Sequence, residues 1–167
     1  MQKVLIIGCP GSGKSTFART LSPLVDLPLF YIDQLYWNAD RTTVGREILQ
    51  QRLQKILATD RWILDGNYAG TLAMRLEKAD TVFLLDYPTE LCLQGIRARR
   101  GLSRPDLPWV EVEEDPEFID YVRAFRDIQL PKIKQQLAKF SDLTVICFSD
   151  RAEADAYLET VKNAKNV

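Results

Sequence analysis

Histidine is missing altogether from this 167-residue chain. Its absence removes Ser/His hydrolysis and any metal site built on imidazole, and it leaves acid–base work to carboxylates, lysines and tyrosines. Cysteine is scarce: Cys9, Cys92 and Cys147 are odd in number, widely spaced and contain no CxxC pair. That excludes a disulfide framework and fits reduced thiols in a cytoplasmic protein. Neither sign of charge is in excess, 22 basic residues standing against 23 acidic for a net charge of −1. A general nucleic-acid binder shows a basic surplus or stripe, so direct nucleic-acid binding is not expected. No apolar run approaches the roughly 18 residues needed to cross a bilayer. Met1-Gln2-Lys3 leads into a strand-like run, where a secretory leader would carry a longer apolar core. The expected location is the cytoplasm. Hydrophobic residues at 46% and charged residues at 27% are ordinary globular values, and the length suits one domain spanning residues 1–167.

What the chain does have is Gly8-Cys9-Pro10-Gly11-Ser12-Gly13-Lys14-Ser15, placed directly after the apolar run Val4-Leu5-Ile6-Ile7 and followed by Thr16-Phe17-Ala18. This fits G-x-x-x-x-G-K-[ST] in the context that motif requires, strand before and helix after. The glycines let successive backbone N–H groups converge on phosphate oxygens, and the helix start faces the anion. Lys14 is the expected partner of the β- and γ-phosphates of ATP, and Ser15 the expected ligand of the Mg²⁺ that bridges them. Gly8, Pro10, Gly11, Ser12, Gly13 and Thr16 complete the expected nucleotide cradle.

Apolar runs alternate with helix-period segments, the pattern of an α/β domain with a parallel sheet. Strands are expected at 3–7, 29–32, 62–64, 81–85 and 144–148, most of them covered on both faces. Helices are expected at 46–58, where Ile48, Leu49, Leu53, Ile56 and Leu57 form one stripe, at 90–100, and at 118–140 with a bend before Pro131. A final helix is capped by Asp150. Residues 101–116, holding Pro105, Pro108 and Pro116, form the least regular stretch and read as a mobile loop over the site.

Two carboxylates end strands on the side where ligands bind in doubly wound sheets. Asp65, in Leu64-Asp65-Gly66-Asn67-Tyr68, is a candidate metal ligand. Asp33, in Tyr31-Ile32-Asp33-Gln34-Leu35-Tyr36-Trp37, is a candidate to orient an acceptor hydroxyl or take its proton. With a phosphate acceptor no base is needed, and Asp33 would only position it. Arg97, Arg99, Arg100 and Arg104 crowd the end of a helix and the start of the irregular loop. Cations there complement a helix dipole, yet four in eight residues exceed that need, and guanidinium groups closing over a transferring phosphoryl group offset its charge. Arg100 and Arg104 are the expected catalytic arginines, and Arg97 is assigned to the nucleotide. Arg75 reads equally as an anion ligand or as a surface partner of Glu77 or Glu47. Tyr31, Tyr36, Trp37 and Tyr68 line an acceptor pocket or plain core. Cys9 reads as a spacer in the loop, with a helix-start environment that lowers its pKa. Ser149 follows the last strand, where backbone could pass the base.

The order of the phosphate loop, Asp33-Gln34-Leu35-Tyr36-Trp37, Asp65-Gly66-Asn67-Tyr68, Ala79–Pro88 and an arginine-rich loop resembles the adenylate-kinase-like P-loop kinases, and within them the topology modulation protein group. The resemblance covers essentially the whole chain. It implies a five-stranded parallel sheet in the order 2-3-1-4-5 flanked by helices, an acceptor-binding segment over residues 33–60 and a lid over 101–116. It departs from true adenylate kinases at Asn67-Tyr68, where those carry Phe-Pro-Arg, so no arginine clamp for a nucleoside monophosphate is legible. The activity this implies is ATP- and Mg²⁺-dependent phosphoryl transfer to a nucleotide or small-molecule acceptor. The competing readings are a nucleotide hydrolase or nucleotide-gated switch acting on a protein partner, and a regulator in a DNA-topology pathway.

Overall fold

A computed structural model describes residues 1–165, so the last two positions of the expected domain lie outside the described residues. Five short strands, β1 (Lys3–Gly8), β2 (Leu29–Tyr31), β3 (Trp62–Asp65), β4 (Thr81–Leu85) and β5 (Thr144–Phe148), form one sheet. Every pairing is parallel and the order is β2-β3-β1-β4-β5, as expected. β1, β3 and β4 are continuous apolar runs because helices cover both of their faces. β5 differs: it is one of the two edge strands, and Thr144, Val145 and Cys147 are exposed.

Among the described residues eight α-helices connect and flank the strands: α1 (Lys14–Val25), α2 (Ile32–Tyr36), α3 (Arg46–Leu57), α4 (Ala69–Leu76), α5 (Thr89–Arg99), α6 (Pro116–Ala124), α7 (Leu130–Leu137) and α8 (Arg151–Lys165). α1 and α8 pack on the β4/β5 side, where Phe17, Phe83, Phe148 and Tyr157 meet at ring-centroid distances of 5.0 to 6.5 Å. Asp150 caps α8 through the Glu153 amide at 2.9 Å, as its spacing predicts.

Two boundaries differ from the sequence reading for local reasons. β2 stops at Tyr31 because Ile32 already opens α2 and turns its side chain into the core. The helix expected over 118–140 is three pieces. It starts two residues earlier, where Asp115 accepts hydrogen bonds from the Glu117 and Phe118 amides ahead of Pro116, an N-cap followed by a proline at N1. It then widens into a π-helical turn at Phe125–Gln129 before Pro131, which sits in the first turn of α7. Proline lacks an N–H and its ring crowds the carbonyl four residues back; the wider turn relieves that clash.

β1 is the central strand, with neighbours reached in opposite directions, so a crevice opens beyond its carboxyl end. The register places Asp65 opposite both Ile6 and Tyr31. The loop after β1, the start of α2 and the end of β3 therefore converge on one point. Among the described residues, no helix is long and apolar enough to cross a membrane.

Candidate active site

The loop between β1 and α1 wraps a small volume with its own backbone, the Ser12 amide donating to the Cys9 carbonyl at 3.1 Å and the Phe17 amide to the Gly13 carbonyl at 2.9 Å. α5 crosses this loop so closely that only glycine fits on either side. A Cβ added to Gly11, whose φ is +82°, would stand 2.0 Å from the Cys92 carbonyl oxygen, and one added to Gly95 would stand 2.0 Å from the Gly11 carbonyl oxygen. Lys14 lies back over the loop, Nζ donating to the Cys9 carbonyl at 3.1 Å. Burial lowers its pKa and the nearby Asp65 carboxylate opposes that shift. Cys9 is buried, and its partner Cys92 together with desolvation pushes its thiol upward. The lowering that a helix start would give the thiol is absent, and the side chain is turned into the core.

Ser15 and Asp65 meet as their chain positions suggested, Ser15 Oγ donating to Asp65 Oδ2 at 2.5 Å. Asp65 is 4% exposed, and desolvation pushes its carboxyl up to about 6 against the pull of Lys14 and Ser15. Its second oxygen, Oδ1, is buried with no hydrogen-bond partner among the described residues. A hydroxyl beside a carboxylate with an unsatisfied oxygen is a donor set that suits a hard divalent cation. Among the described residues no cluster of three or more ligating side chains could hold an ion alone, so nucleotide phosphates would have to complete the shell.

Asp33 stands in the first turn of α2 and accepts a hydrogen bond from the Tyr68 hydroxyl at 2.7 Å. Desolvation raises its pKa, moderated by Tyr68 and by Lys14. Tyr68 is held there by an unusual loop. Asn67 clamps Gly8 from both sides, accepting from its amide at 3.0 Å and donating to its carbonyl at 2.8 Å. Tyr68 itself takes a left-handed φ of +39°. Arg75 fixes the turn from beneath: fully buried, it donates to the carbonyls of Gly66 at 2.8 Å, Tyr68 at 3.2 Å and Thr71 at 3.3 Å, and to that of Asn67. Neither sequence reading of Arg75 survives. It is no anion ligand and no surface ion pair but a loop-shaping cation, paired only with peptide dipoles.

The segment over 101–115 lies closed on the site, tied to α1 and α5 by one ion pair each and braced by two of its own. Asp106, 2% exposed, pairs with Arg19 of α1 at 3.3 Å and with Arg104 at 3.1 Å; Glu111 pairs with Arg104 at 2.9 Å and with Arg99 at 3.2 Å. Gln34 donates to the Pro105 carbonyl. The four arginines therefore separate. Arg99 and Arg104 enter the site, Arg97 points to solvent from the opposite face of α5, and Arg100 turns outward to Glu114. The phase of α5 carries Gly95, Ala98 and Arg99 inward and Arg97 outward, and Arg100 follows the end of the helix; neither Arg97, expected on the nucleotide, nor Arg100, expected as a catalytic arginine, lines either cavity.

Two cavities result. One, of about 440 Å³, runs from the phosphate loop between α1, α5 and α8, with Tyr87, Arg151 and Asp155 at its far end; Ser149 is not part of it. The other, of about 1010 Å³, opens between α2, the Gly66–Tyr68 turn, the lid and α6–α7. Lys14, Ser15, Arg99, Arg104 and Asp106 line both. Asp33 and Asp65 belong to the larger one. So do Trp37 and Tyr68; Tyr36 packs edge-on against both, at 5.2 and 5.0 Å, and Tyr31 stays outside. Sequence reasoning missed Arg19, Asp106 and Trp109. Arg19 had a signal, since it lies four residues after Ser15 on the same helical face. Asp106 and Trp109 had none.

No protein-family model matches the chain. It is 29% identical over 142 residues to an adenylate kinase from Cyanothece sp., a match covering 66% of this chain and 72% of that protein. Two solved structures superpose along nearly its whole length. A shikimate kinase from Bacteroides thetaiotaomicron gives a TM-score of 0.60 at 14% identity, covering 98% of each chain. The shikimate kinase of Acinetobacter baumannii in complex with shikimate gives 0.62 at 18% identity, covering 99% of this chain and 94% of that one. The fold is that of the P-loop kinases.

Proposed function

We propose that the chain is a single-domain phosphotransferase that moves the γ-phosphoryl group of ATP to a small-molecule or nucleotide acceptor. The observation that carries this reading is the pair of cavities meeting at Lys14, Ser15, Arg99, Arg104 and Asp106. A hydrolase needs one pocket and a water; a donor site and an acceptor site sharing a cationic wall suit transfer between two bound molecules. The adenylate kinase relative supports the same class. The resemblance of Asp33–Trp37 and Asp65–Tyr68 to the topology modulation group supports that subgroup, and the free thiols of Cys9, Cys92 and Cys147 suit a cytoplasmic protein.

In this reading ATP lies along the smaller cavity with its phosphates on the backbone amides of Gly11 and residues 13–16. Lys14 exchanges the Cys9 carbonyl for the β- and γ-phosphates. Ser15 and Asp65 would hold Mg²⁺, which when bound neutralises charge on those phosphates. Arg99 and Arg104 leave Glu111 and Asp106 for the equatorial oxygens, whose charge grows in the transition state. Asp33 orients the acceptor within the segment 33–60, while the lid over 101–116 excludes water. The test is ADP formation with Mg²⁺ATP in the presence and absence of acceptors. Acceptor-dependent ADP supports transfer, whereas equal turnover without any acceptor points to the hydrolase or switch reading.

A further inference from the structure

The larger cavity carries information about what it accepts. Its walls hold seven carboxylates against five cationic side chains, an unfavourable field for an anion. None of the three half-buried cations is left for an acceptor phosphate, and the other two are exposed. Arg99 and Arg104 are paired with lid carboxylates, and in the proposed function they pass to the transferring group. Lys14 belongs to the phosphate loop. The Arg41 guanidinium lies over the ring of Trp109, 5.9 Å from its centroid, and Lys132 is exposed on α7. Recognition of a phosphate or carboxylate ordinarily uses an arginine fork aimed into the pocket, whereas the one arginine of this cavity outside the lid pairs, Arg41, is exposed and stacked on Trp109.

What the cavity offers is aromatic surface beside a carboxylate. Trp37 from the α2 end and Trp109 from the lid stand edge to face, centroids 5.4 Å apart and planes at 84°. Tyr68 continues that wall to Asp33. Such rings recognise a flat partner with little entropic cost. Asp33 gives one oxygen to the Tyr68 hydroxyl, and its other oxygen accepts no hydrogen bond from the described residues. A carboxylate so placed has a use when the acceptor has a proton to lose, which an alcohol has and an ionised phosphate lacks.

Building on the kinase reading, we infer that the acceptor is an uncharged alcohol carrying a flat ring, packed against the wall that Trp37 and Trp109 form, with its hydroxyl on Asp33. The alcohol oxygen bonds to the γ-phosphorus of ATP as the bond from that phosphorus to the β–γ bridging oxygen breaks. The electron pair leaves with ADP, the alcohol proton passes to Asp33 and then to solvent, and the product is a phosphate monoester.

Calorimetric titration tests this, with Mg²⁺ and a non-hydrolysable ATP analogue filling the donor site. The probes are the four common ribonucleosides and a set of hydroxymethyl-substituted heteroaromatics, each alongside its phosphate ester. The expected result is that at least one alcohol binds, at least about tenfold more tightly than its own ester. Trp109→Ala is expected to lose about tenfold in affinity for that alcohol and none for the ATP analogue. Tighter binding of the esters, binding by no alcohol in the set, or an unchanged affinity in Trp109→Ala overturns the inference. ADP formation with ATP and the bound alcohol is measured separately. Binding without ADP overturns the kinase reading alone and leaves the binding specificity standing.

Discussion

Tyr68 donates its hydroxyl to Asp33 Oδ1 at 2.7 Å across 35 residues of chain, joining the turn after β3 to the first turn of α2. This bond stabilises the charged form of a carboxylate that burial would otherwise push further up. Asp33→Asn should lower kcat about 100- to 1000-fold with an alcohol acceptor, the usual scale for a general base, and leave ATP binding intact. Tyr68→Phe removes the interaction that lowers the Asp33 pKa, so the acid limb of the pH–rate profile should move to higher pH. A profile unchanged in Tyr68→Phe, or a loss below about threefold in Asp33→Asn, would reduce Asp33 to a structural role.

The buried carboxylate of Asp65 costs stability in the unliganded protein. Its folded pKa of about 6 lies above the ordinary 3.8, so the folded state binds the proton more tightly than the unfolded one. The cost is full above pH 6 and fades as pH falls through 6 towards 4. Asp65→Asn keeps the Ser15 contact and removes the charge. By urea denaturation it should be about 1 to 3 kcal/mol more stable than wild type at pH 7.5, with the gap closing near pH 4.5. It should also lose the Mg²⁺ dependence of ATP binding.

Helix phase separates Arg99 from Arg97, and beyond the helix Arg104 lines both cavities while Arg100 pairs with Glu114. Arg99→Ala and Arg104→Ala should each cost about 100-fold in kcat, the scale of one lost transition-state donor. Arg97→Ala and Arg100→Ala should stay within about threefold, since one is solvent-exposed and the other pairs with Glu114. Steady-state kinetics of the four variants decides it, and an equal loss in Arg97→Ala would place the helix phase in error.

The sheet and the phosphate loop were legible because both are local. β1 and β4 are continuous apolar runs, and Gly8–Ser15 carries its geometry in its own residue types. Asp65 and Asp33 were legible because strand ends in this topology converge on the loop. The place of the lid was legible from its prolines, but its closed shape was not, since contacts such as Arg19–Asp106, 87 residues apart, set that shape and leave no periodicity. Four arginines within eight residues look alike in a sequence; only the turn of α5 distinguishes Arg99 from Arg97. Arg75 misled for a similar reason. Its partners are backbone carbonyls of a turn that exists only once β3 and α4 are in place.

Gly95 offers a test of how α5 supports the phosphate loop. A methyl group there meets the Gly11 carbonyl oxygen at 2.0 Å, a contact that backbone must move to relieve. Gly95→Ala should raise KM for ATP at least about tenfold while circular dichroism shows the helices and sheet retained. An unchanged KM would mean that α5 and the loop are not rigidly coupled.

The central claim, transfer from a phosphate-loop donor to a bound acceptor, is tested most directly by ADP formation with Mg²⁺ATP, measured alone and with an acceptor panel, in wild type and in Lys14→Ala. The account predicts that at least one acceptor stimulates turnover and yields its phosphate ester, and that Lys14→Ala, still folded, loses this activity by at least about 1000-fold. Turnover that ignores every acceptor, or that persists in Lys14→Ala, would contradict it.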